Sequence, residues 1–128
     1  QAAHAGKTIN LDTAAGSIVT LPAATGSGAV YKFCVSVLAT SNSHIVKVAN
    51  ASDAFDGIIS TMDDTANNVE AFAAVAGTSD TITLNRTTTG SVTIGEYIEI
   101  VDIATNRFHV KGTVTNTGTA ATAFSATV

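Results

Sequence analysis

Tyr31-Lys32-Phe33-Cys34-Val35-Ser36-Val37 is the stretch of sequence that decides the fold. Large apolar residues occupy every second position, so an extended chain places them on one face and puts Lys32, Cys34 and Ser36 on the other. A period of two is typical of a strand that buries one face against a core. The sequence therefore predicts a central core strand over residues 31–37.

The same kind of pattern recurs on both sides of this strand. Thr, Val and Ile are abundant, whereas the chain has one Pro and little Glu, so the composition favours strands over exposed helices. Thr81-Ile82-Thr83-Leu84, for example, alternates polar and apolar residues. We predict further strands at residues 8–11, 17–21, 45–49, 57–62, 69–75, 81–84, 97–103, 108–114 and 124–128.

Turn signals separate these segments. Clusters of Gly, Asn, Asp, Ser and Thr lie between them, at residues 12–16, 24–28, 85–90, 104–107 and 116–120. Short strands with turns at this spacing are typical of all-β domains. The predicted fold class is therefore all-β, a compact sandwich or barrel of about ten short, mostly antiparallel strands.

The length allows one domain. A chain of 128 residues can bury a core large enough to be stable without a disulfide or a metal. The single cysteine, Cys34, cannot form a bridge within the chain, and we expect an inert, partly buried thiol. We predict a single β domain over residues 8–128, preceded by an N-terminal arm over residues 1–7, which lack a core pattern.

Residues 63–76, with the sequence DDTANNVEAFAAVA, allow two interpretations. Alanine is the best helix former and Thr65 could cap a helix, so the segment could be one amphipathic helix. The alternative, which we favour, is a strand.

The two halves of the chain show weak similarity. The segment from Thr8 to Leu21 has the same order of features as the segment from Thr81 to Ile94, and fainter matches follow it. An internal duplication would give two similar halves. Chance similarity in a sequence rich in Thr, Ala, Gly and Val is the alternative, and the strand order in the structure decides between them.

Charge limits the classes of partner. The formal net charge is -4, and the few lysines and arginines are scattered along the chain. Binding to nucleic acid or to an anionic membrane needs clustered basic side chains. We therefore predict neither a nucleic-acid partner nor a membrane partner.

Enzyme signatures are missing from the sequence. It contains no Gly-x-Ser-x-Gly, no phosphate-binding loop and no His-Glu-x-x-His motif, and His4, His44 and His109 have no acidic or cysteine neighbours at ligand spacing. Glu96 and Glu99 would point to opposite faces of a strand, so we interpret them as rim or edge charges.

An acidic cluster is the best metal candidate in the chain. It consists of Asp53, Asp56, Asp63 and Asp64, but its spacing fits no calcium loop, and solvated loop charges are the better interpretation. We predict a protein that is not an enzyme and has no catalytic residues, no cofactor and no metal.

Four strings carry a resemblance to a known class of proteins. They are TLPAATGSGAVYKF at residues 20–33, SNSHIVKVANASD at 41–53, SDTITLNRTTTG at 79–90 and TGTAATAFSATV at 117–128. These segments resemble parts of small structural proteins of tailed-bacteriophage virions, and most of all head decoration, or capsid cement, proteins. The resemblance covers most of the chain from about Thr8, in strand-and-turn segments.

The resemblance implies a structural role. Such proteins sit on the outer surface of the capsid, often as trimers, and bridge neighbouring subunits of the major capsid protein. It implies a homotrimer here, with the virion's outer capsid surface as its location. A tail-fibre or receptor-binding module is the alternative, although a chain without Trp and with two Tyr offers few aromatic side chains for stacking on glycans.

The N-terminal arm supplies the predicted contact residues. Residues 1–7 could become ordered on touching the capsid, with His4 and Lys7 as polar anchors. An ordinary frayed terminus is the alternative.

Overall fold

The computed structural model describes residues 4–128, and these form ten β-strands and no α-helix. The strands are β1 (Thr8–Leu11), β2 (Ser17–Thr20), β3 (Val30–Val35), β4 (His44–Lys47), β5 (Ala54–Asp63), β6 (Val69–Ala73), β7 (Thr81–Leu84), β8 (Tyr97–Ala104), β9 (Arg107–Asn116) and β10 (Phe124–Ser125).

Two sheets pack together as a sandwich. The larger sheet has the order β1-β3-β8-β9-β5-β6 and the smaller one β10-β7-β4-β2. Pairs β1–β3, β2–β4 and β5–β9 are parallel, and the other five are antiparallel. The predicted all-β class with mostly antiparallel strands is confirmed, and of the two predicted architectures the structure is the sandwich, not a closed barrel.

The predicted core strand is β3. It lies inside the larger sheet between β1 and β8, and Tyr31, Phe33 and Val35 are at most 6% exposed. The strand ends at Val35, so Val37 lies beyond it and is 36% exposed. The prediction is thus confirmed for the strand and wrong for its last two residues, Ser36 and Val37.

Aromatic and branched side chains fill the space between the sheets. Phe55 of β5 and Phe108 of β9 are register partners, and their ring centroids lie 6.1 Å apart. From the smaller sheet, Val46, Ile82 and Leu84 pack into the same cluster. Complete burial of a side chain of this size contributes roughly 1.5–3 kcal/mol, so this cluster is the main source of stability.

Residues 63–76 form a turn and a strand, so the strand interpretation is confirmed and the helix is wrong. Asp63 ends β5, and its Oδ1 accepts hydrogen bonds from Thr65 N at 2.8 Å and Ala66 N at 3.0 Å. Thr65 Oγ1 also donates to Asp63 Oδ1, at 2.8 Å, instead of capping a helix. This turn directs β6 back along β5 as a hairpin.

The proposed duplication is wrong. β1 and β3 are parallel neighbours in the larger sheet, but their counterparts β7 and β8 lie in different sheets. Residues 90–94, the counterpart of β2, form no strand. The two halves therefore share only residue types that favour strands and turns, and their strands are arranged in different topologies.

Candidate functional site

Buried carboxylates hold several loops of the sandwich in place. Asp53, Asp80, Glu96 and Asp102 are between 2% and 6% exposed. Each accepts at least one hydrogen bond from a backbone N–H of a loop or terminal segment. A buried charge is stable only when it is paired or hydrogen-bonded, and these groups meet that requirement mostly through the backbone. Asp53 meets it through Oδ2 alone, because its buried Oδ1 has no hydrogen-bond partner among the described residues.

Asp102 is the most strongly anchored of the four. It projects inward from β8, and its carboxylate accepts from the backbone N–H groups of Thr25, Gly26 and Ser27 at 2.7–3.2 Å. The hydroxyls of Thr25 and Ser27 also donate to it, at 3.2 and 2.6 Å. Burial would raise the pKa of Asp102, but the hydrogen bonds from Ser27, Gly26 and Thr25 outweigh it and lower that pKa to about 2. The carboxylate therefore remains ionised and fixes residues 25–27 against β8.

Glu96 plays a similar part just before β8. Its carboxylate accepts from the backbone N–H groups of Ser91, Val92 and Thr93 at 2.6, 2.7 and 2.8 Å. Burial raises the pKa of Glu96, and these hydrogen bonds offset the rise only in part. The interpretation of Glu96 as a rim charge is wrong, because the loop over residues 91–95 folds around it.

Glu99 lies on the outer face of the larger sheet but on β8, an inner strand, so its interpretation as a rim or edge charge is wrong as well. Its carboxylate is 2.9 Å from Lys111 Nζ and 3.9 Å from Lys32 Nζ. Both lysines are its register partners on the adjacent strands. The hydrogen bond from Lys111 lowers the pKa of Glu99.

Asp80 joins the C-terminus to the smaller sheet. It accepts from Thr81 Oγ1 at 2.8 Å and from the backbone N–H groups of Thr127 and Val128 at 2.8 and 3.2 Å. Burial would raise the pKa of Asp80, but these hydrogen bonds outweigh it and lower the pKa. The last residues of the chain are thereby held against the sandwich.

The four aspartates of the predicted acidic cluster have different surroundings, and only Asp64 is exposed. Asp53 accepts from Ala24 N and Asn50 Nδ2, Asp56 pairs with Arg107 at 2.7 Å, and Asp63 organises its own turn. Asp53 is buried, so its interpretation as a solvated charge is wrong. Within residues 4–128, no three His, Cys, Asp or Glu side chains are grouped so that they could hold a metal ion.

Ser17 and His44 form the one serine–histidine pair among the described side-chain hydrogen bonds. They are register partners on β2 and β4, and Ser17 Oγ lies 2.8 Å from His44 Nδ1. His44 Nε2 lies 3.0 Å from the carbonyl oxygen of Val37, which can only accept, so Nε2 carries the proton and Ser17 donates to Nδ1. His44 is 1% exposed, and the pair joins β2, β4 and the loop after β3.

His4 and Lys7, the predicted contact residues, share one exposed turn. Lys7 N donates to His4 O at 3.2 Å, and Gly6 N donates to Val30 O at 2.7 Å, which attaches this turn to β3. His4 borders a groove of about 270 Å³ between the edge strands β1 and β2. The groove is otherwise lined by Ile9, Val19, Thr20, Leu21, Pro22 and Tyr31. Residues 1–3 of the predicted arm lie outside the described residues.

The outer face of the larger sheet has two unlike halves. Over β3, β8 and β9 it carries the Lys32, Glu99 and Lys111 group. Over β5 and β6 it is apolar, and we name this half the β5–β6 patch. The patch consists of Ile58 (53% exposed), Met62 (44%) and Val69 (65%), the exposed Ala71 and Ala73, and Ile94 (65%) from the loop before β8. Ser60 lies on the same face of β5, between Ile58 and Met62.

The apolar side chains at one end of the patch are contiguous. Met62 and Val69 are register partners and line a common groove, and a second groove joins Met62 to Ile94. Ile58 lies opposite Ala73 on the same face. Met62, Val69 and Ile94 therefore form one apolar surface, and Ser60 separates it from Ile58 on the same face.

Comparison with protein-family models, with curated proteins and with solved structures finds no match to this chain. None of the residues that the structure describes belongs to a helix with the length and hydropathy of a membrane span.

Sequence analysis missed both the buried carboxylates and the patch. The sequence did contain one signal for Asp102. It occupies the next inward position of β8 after Ile98 and Ile100, where the alternation predicts an apolar residue. A carboxylate at such a position needs donors from elsewhere in the chain, and nothing in the local pattern says which loop supplies them.

Proposed function

We propose that this chain is a non-enzymatic virion structural protein that binds the outer surface of a bacteriophage capsid. In this role it forms a homotrimer and stabilises the shell by bridging subunits of the major capsid protein. The observation that carries the proposal is a sandwich whose loops are fixed by buried carboxylates and whose outer face exposes apolar side chains, in a chain whose sequence resembles capsid decoration proteins.

Rigidity supports this role for a physical reason. A protein that bridges subunits in many copies relies on modest contacts repeated over a lattice. Each contact is stronger when the binding surface is already ordered, because less conformational entropy is lost on binding. Asp102, Glu96 and Asp80 supply that order by fixing loops and the C-terminus through backbone hydrogen bonds.

The chemistry of the polar groups supports a non-enzymatic role. The carboxylates of Asp102 and Glu96 are occupied by backbone N–H groups, and both ring nitrogens of His44 have partners within the fold. Groups used in this way hold the structure together and are poorly placed to exchange protons with a substrate.

His4 and Lys7 are the proposed polar contacts with the capsid. They are exposed on one turn beside the apolar groove between β1 and β2, so a capsid segment could meet polar and apolar groups together. Deleting residues 1–7 and measuring occupancy on capsids tests this assignment, and undiminished binding would reject it.

Adding the purified protein back to capsids that lack it tests the function. We expect added density on the outer capsid surface by electron microscopy and better survival of the decorated heads on heating or chelation. Equal survival of bare and decorated heads would count against the stabilising role. Density confined to the tail would support the tail-fibre or receptor-binding alternative instead.

A further inference from the structure

We propose that the chain cleaves its own peptide bond between Gly90 and Ser91, through attack of the Ser91 hydroxyl on the carbonyl carbon of Gly90. The reaction is a single self-processing event and not the turnover of a substrate, and it does not depend on the proposed function. Four features of this bond carry the inference. They are the backbone conformation of Ser91, its available hydroxyl, a donor on the Gly90 carbonyl oxygen and a carboxylate on the Ser91 nitrogen.

Ser91 has a backbone conformation that serine seldom adopts. Its φ is +63°, and that of the preceding Gly90 is +119°. A residue with a Cβ is strained at positive φ and keeps that conformation only where surrounding contacts fix it. Both residues are buried, and Ser91 is 2% exposed. Breaking the bond between them releases the strain, which favours the reaction.

The hydroxyl of Ser91 is available as a nucleophile. Three serines directly follow a glycine, namely Ser17, Ser27 and Ser91, and only Ser91 has positive φ. The hydroxyls of Ser17 and Ser27 donate to other side chains. Ser91 Oγ instead accepts from Ala39 N at 3.1 Å, and it donates none of the hydrogen bonds found within residues 4–128. The oxygen is therefore held in place while its proton remains free to leave.

The carbonyl group of Gly90 is prepared for attack. Its oxygen accepts a hydrogen bond from Arg86 N at 2.8 Å. A backbone donor in this position stabilises the negative charge that develops on the oxygen when the carbon is attacked. Gly90 also has no side chain to shield the carbon, and a Cβ there would lie only 2.7 Å from Leu84 Cδ2.

The carboxylate of Glu96 lies directly at the bond. Its Oε2 accepts from Ser91 N at 2.6 Å and lies 3.0 Å from the position that a Cβ on Gly90 would take. Burial raises the pKa of Glu96, so this carboxyl group takes up a proton more readily than an ordinary glutamate. It is placed to take the proton from Ser91 Oγ and to deliver it to the Ser91 nitrogen.

The first step is an acyl shift from nitrogen to oxygen. A bond forms between Ser91 Oγ and the carbonyl carbon of Gly90, the bond from that carbon to the Ser91 nitrogen breaks, and the hydroxyl proton moves to the nitrogen through Glu96. The product is an ester with a free amino group, which takes a proton from the solvent and pairs with Glu96. Water then hydrolyses the ester, which leaves a carboxylate on Gly90 and restores the Ser91 hydroxyl.

Mass spectrometry of the full chain under denaturing conditions tests the inference. Denaturation is needed because β8 and β9 follow the cleaved bond and remain paired with β3 and β5 in the folded protein. We expect two fragments, residues 1–90 and 91–128, whose masses sum to that of the chain plus one water molecule. Hydroxylamine, a nucleophile that attacks esters, should increase their yield when it is added to the folded protein.

Variants identify the groups that react. Ser91→Ala removes the nucleophile and should abolish cleavage, whereas Ser91→Cys keeps a nucleophile and should retain it. Glu96→Gln cannot relay a proton and should slow cleavage at least about tenfold. Ser27→Ala is the matched control, because Ser27 also follows a glycine and its nitrogen also donates to a carboxylate, yet it should leave cleavage after Gly90 unchanged. Circular dichroism establishes that each variant keeps the fold.

The outcomes decide the inference in either direction. Cleavage after Gly90 that is lost in Ser91→Ala and kept in Ser91→Cys would support it, even if Glu96→Gln failed to fold. A chain that stays intact over days with and without hydroxylamine would overturn it. Equal cleavage of Ser91→Ala would point to a contaminating protease, and equal cleavage after Gly16 or Gly26 would show that the conformation of Ser91 is not the cause, so either result would overturn it as well.

Discussion

Replacing Asp102 by asparagine tests whether a buried charge holds the loop over residues 25–27. The pKa of Asp102 is about 2 in the folded protein, against 3.8 for an ordinary aspartate. A difference of one pKa unit corresponds to about 1.4 kcal/mol, so ionised Asp102 contributes on the order of 2 kcal/mol to the free energy of unfolding at neutral pH. Because the pKa is lowered by folding, this contribution is present above pH 4–5 and is lost as the pH falls toward 2.

Asp102→Asn keeps the shape of the side chain but removes the charge. It also places an amide nitrogen, which can only donate, among the N–H donors of Thr25, Gly26 and Ser27. We expect the free energy of unfolding at pH 7 to fall by about 2–4 kcal/mol, since a mismatched buried donor adds to the lost charge.

Urea unfolding followed by circular dichroism measures this loss at pH 7 and pH 2.5. The difference between the two proteins should shrink by about 1.5 kcal/mol at the lower pH, because the carboxyl group of the unfolded chain is then protonated and folding must ionise it again. The matched control is Asp12→Asn at an exposed site, which should change stability by no more than about 0.5 kcal/mol. An equal loss at both pH values would refute the claim that the charge of Asp102 secures the loop.

Three further substitutions test packing and the buried histidine. Gly57 has φ +133°, and a Cβ there would overlap the carbonyl oxygen of Val110, so Gly57→Ala should lower the free energy of unfolding by about 3 kcal/mol or more. Gly28→Ala, at φ +73° with open space around it, should cost only about 1–2 kcal/mol. Ser17→Ala removes the donor to the Nδ1 of buried His44 and should cost about 1–3 kcal/mol. Thermal and urea unfolding of the purified variants measure all three.

Contrary results would be informative in each case. Similar losses for the two glycine variants would mean that strain at positive φ, and not overlap with Val110, sets the cost. An unchanged stability for Ser17→Ala would mean that water replaces the hydroxyl on His44.

The sequence by itself determined the class of fold. Alternation over residues 31–37 and in the shorter segments predicted β3 and strands near each of the other nine, because a period of two follows from strand geometry alone. For residues 63–76 the same local pattern only favoured a strand over a helix. An alanine-rich segment is compatible with both, and pairing with a neighbouring strand decides between them.

The tertiary structure alone decided which strands meet. Thr8–Leu11 and Thr81–Leu84 have similar sequences, yet one joins β3 and the other joins β4 and β10. Pairing depends on contacts between residues distant in sequence, which a local pattern does not contain. The hypothesis of an internal duplication was wrong for this reason.

The functional surfaces also came from the tertiary structure. Asp102 meets its donors 75 to 77 residues away, and Met62 becomes part of a patch only because Val69 is opposite it and Ile94 is beside it. Composition and alternation determine that a residue lies in a strand. What covers each face of that strand depends on how the whole chain packs, because burial is a property of the assembled sheets and not of any one segment.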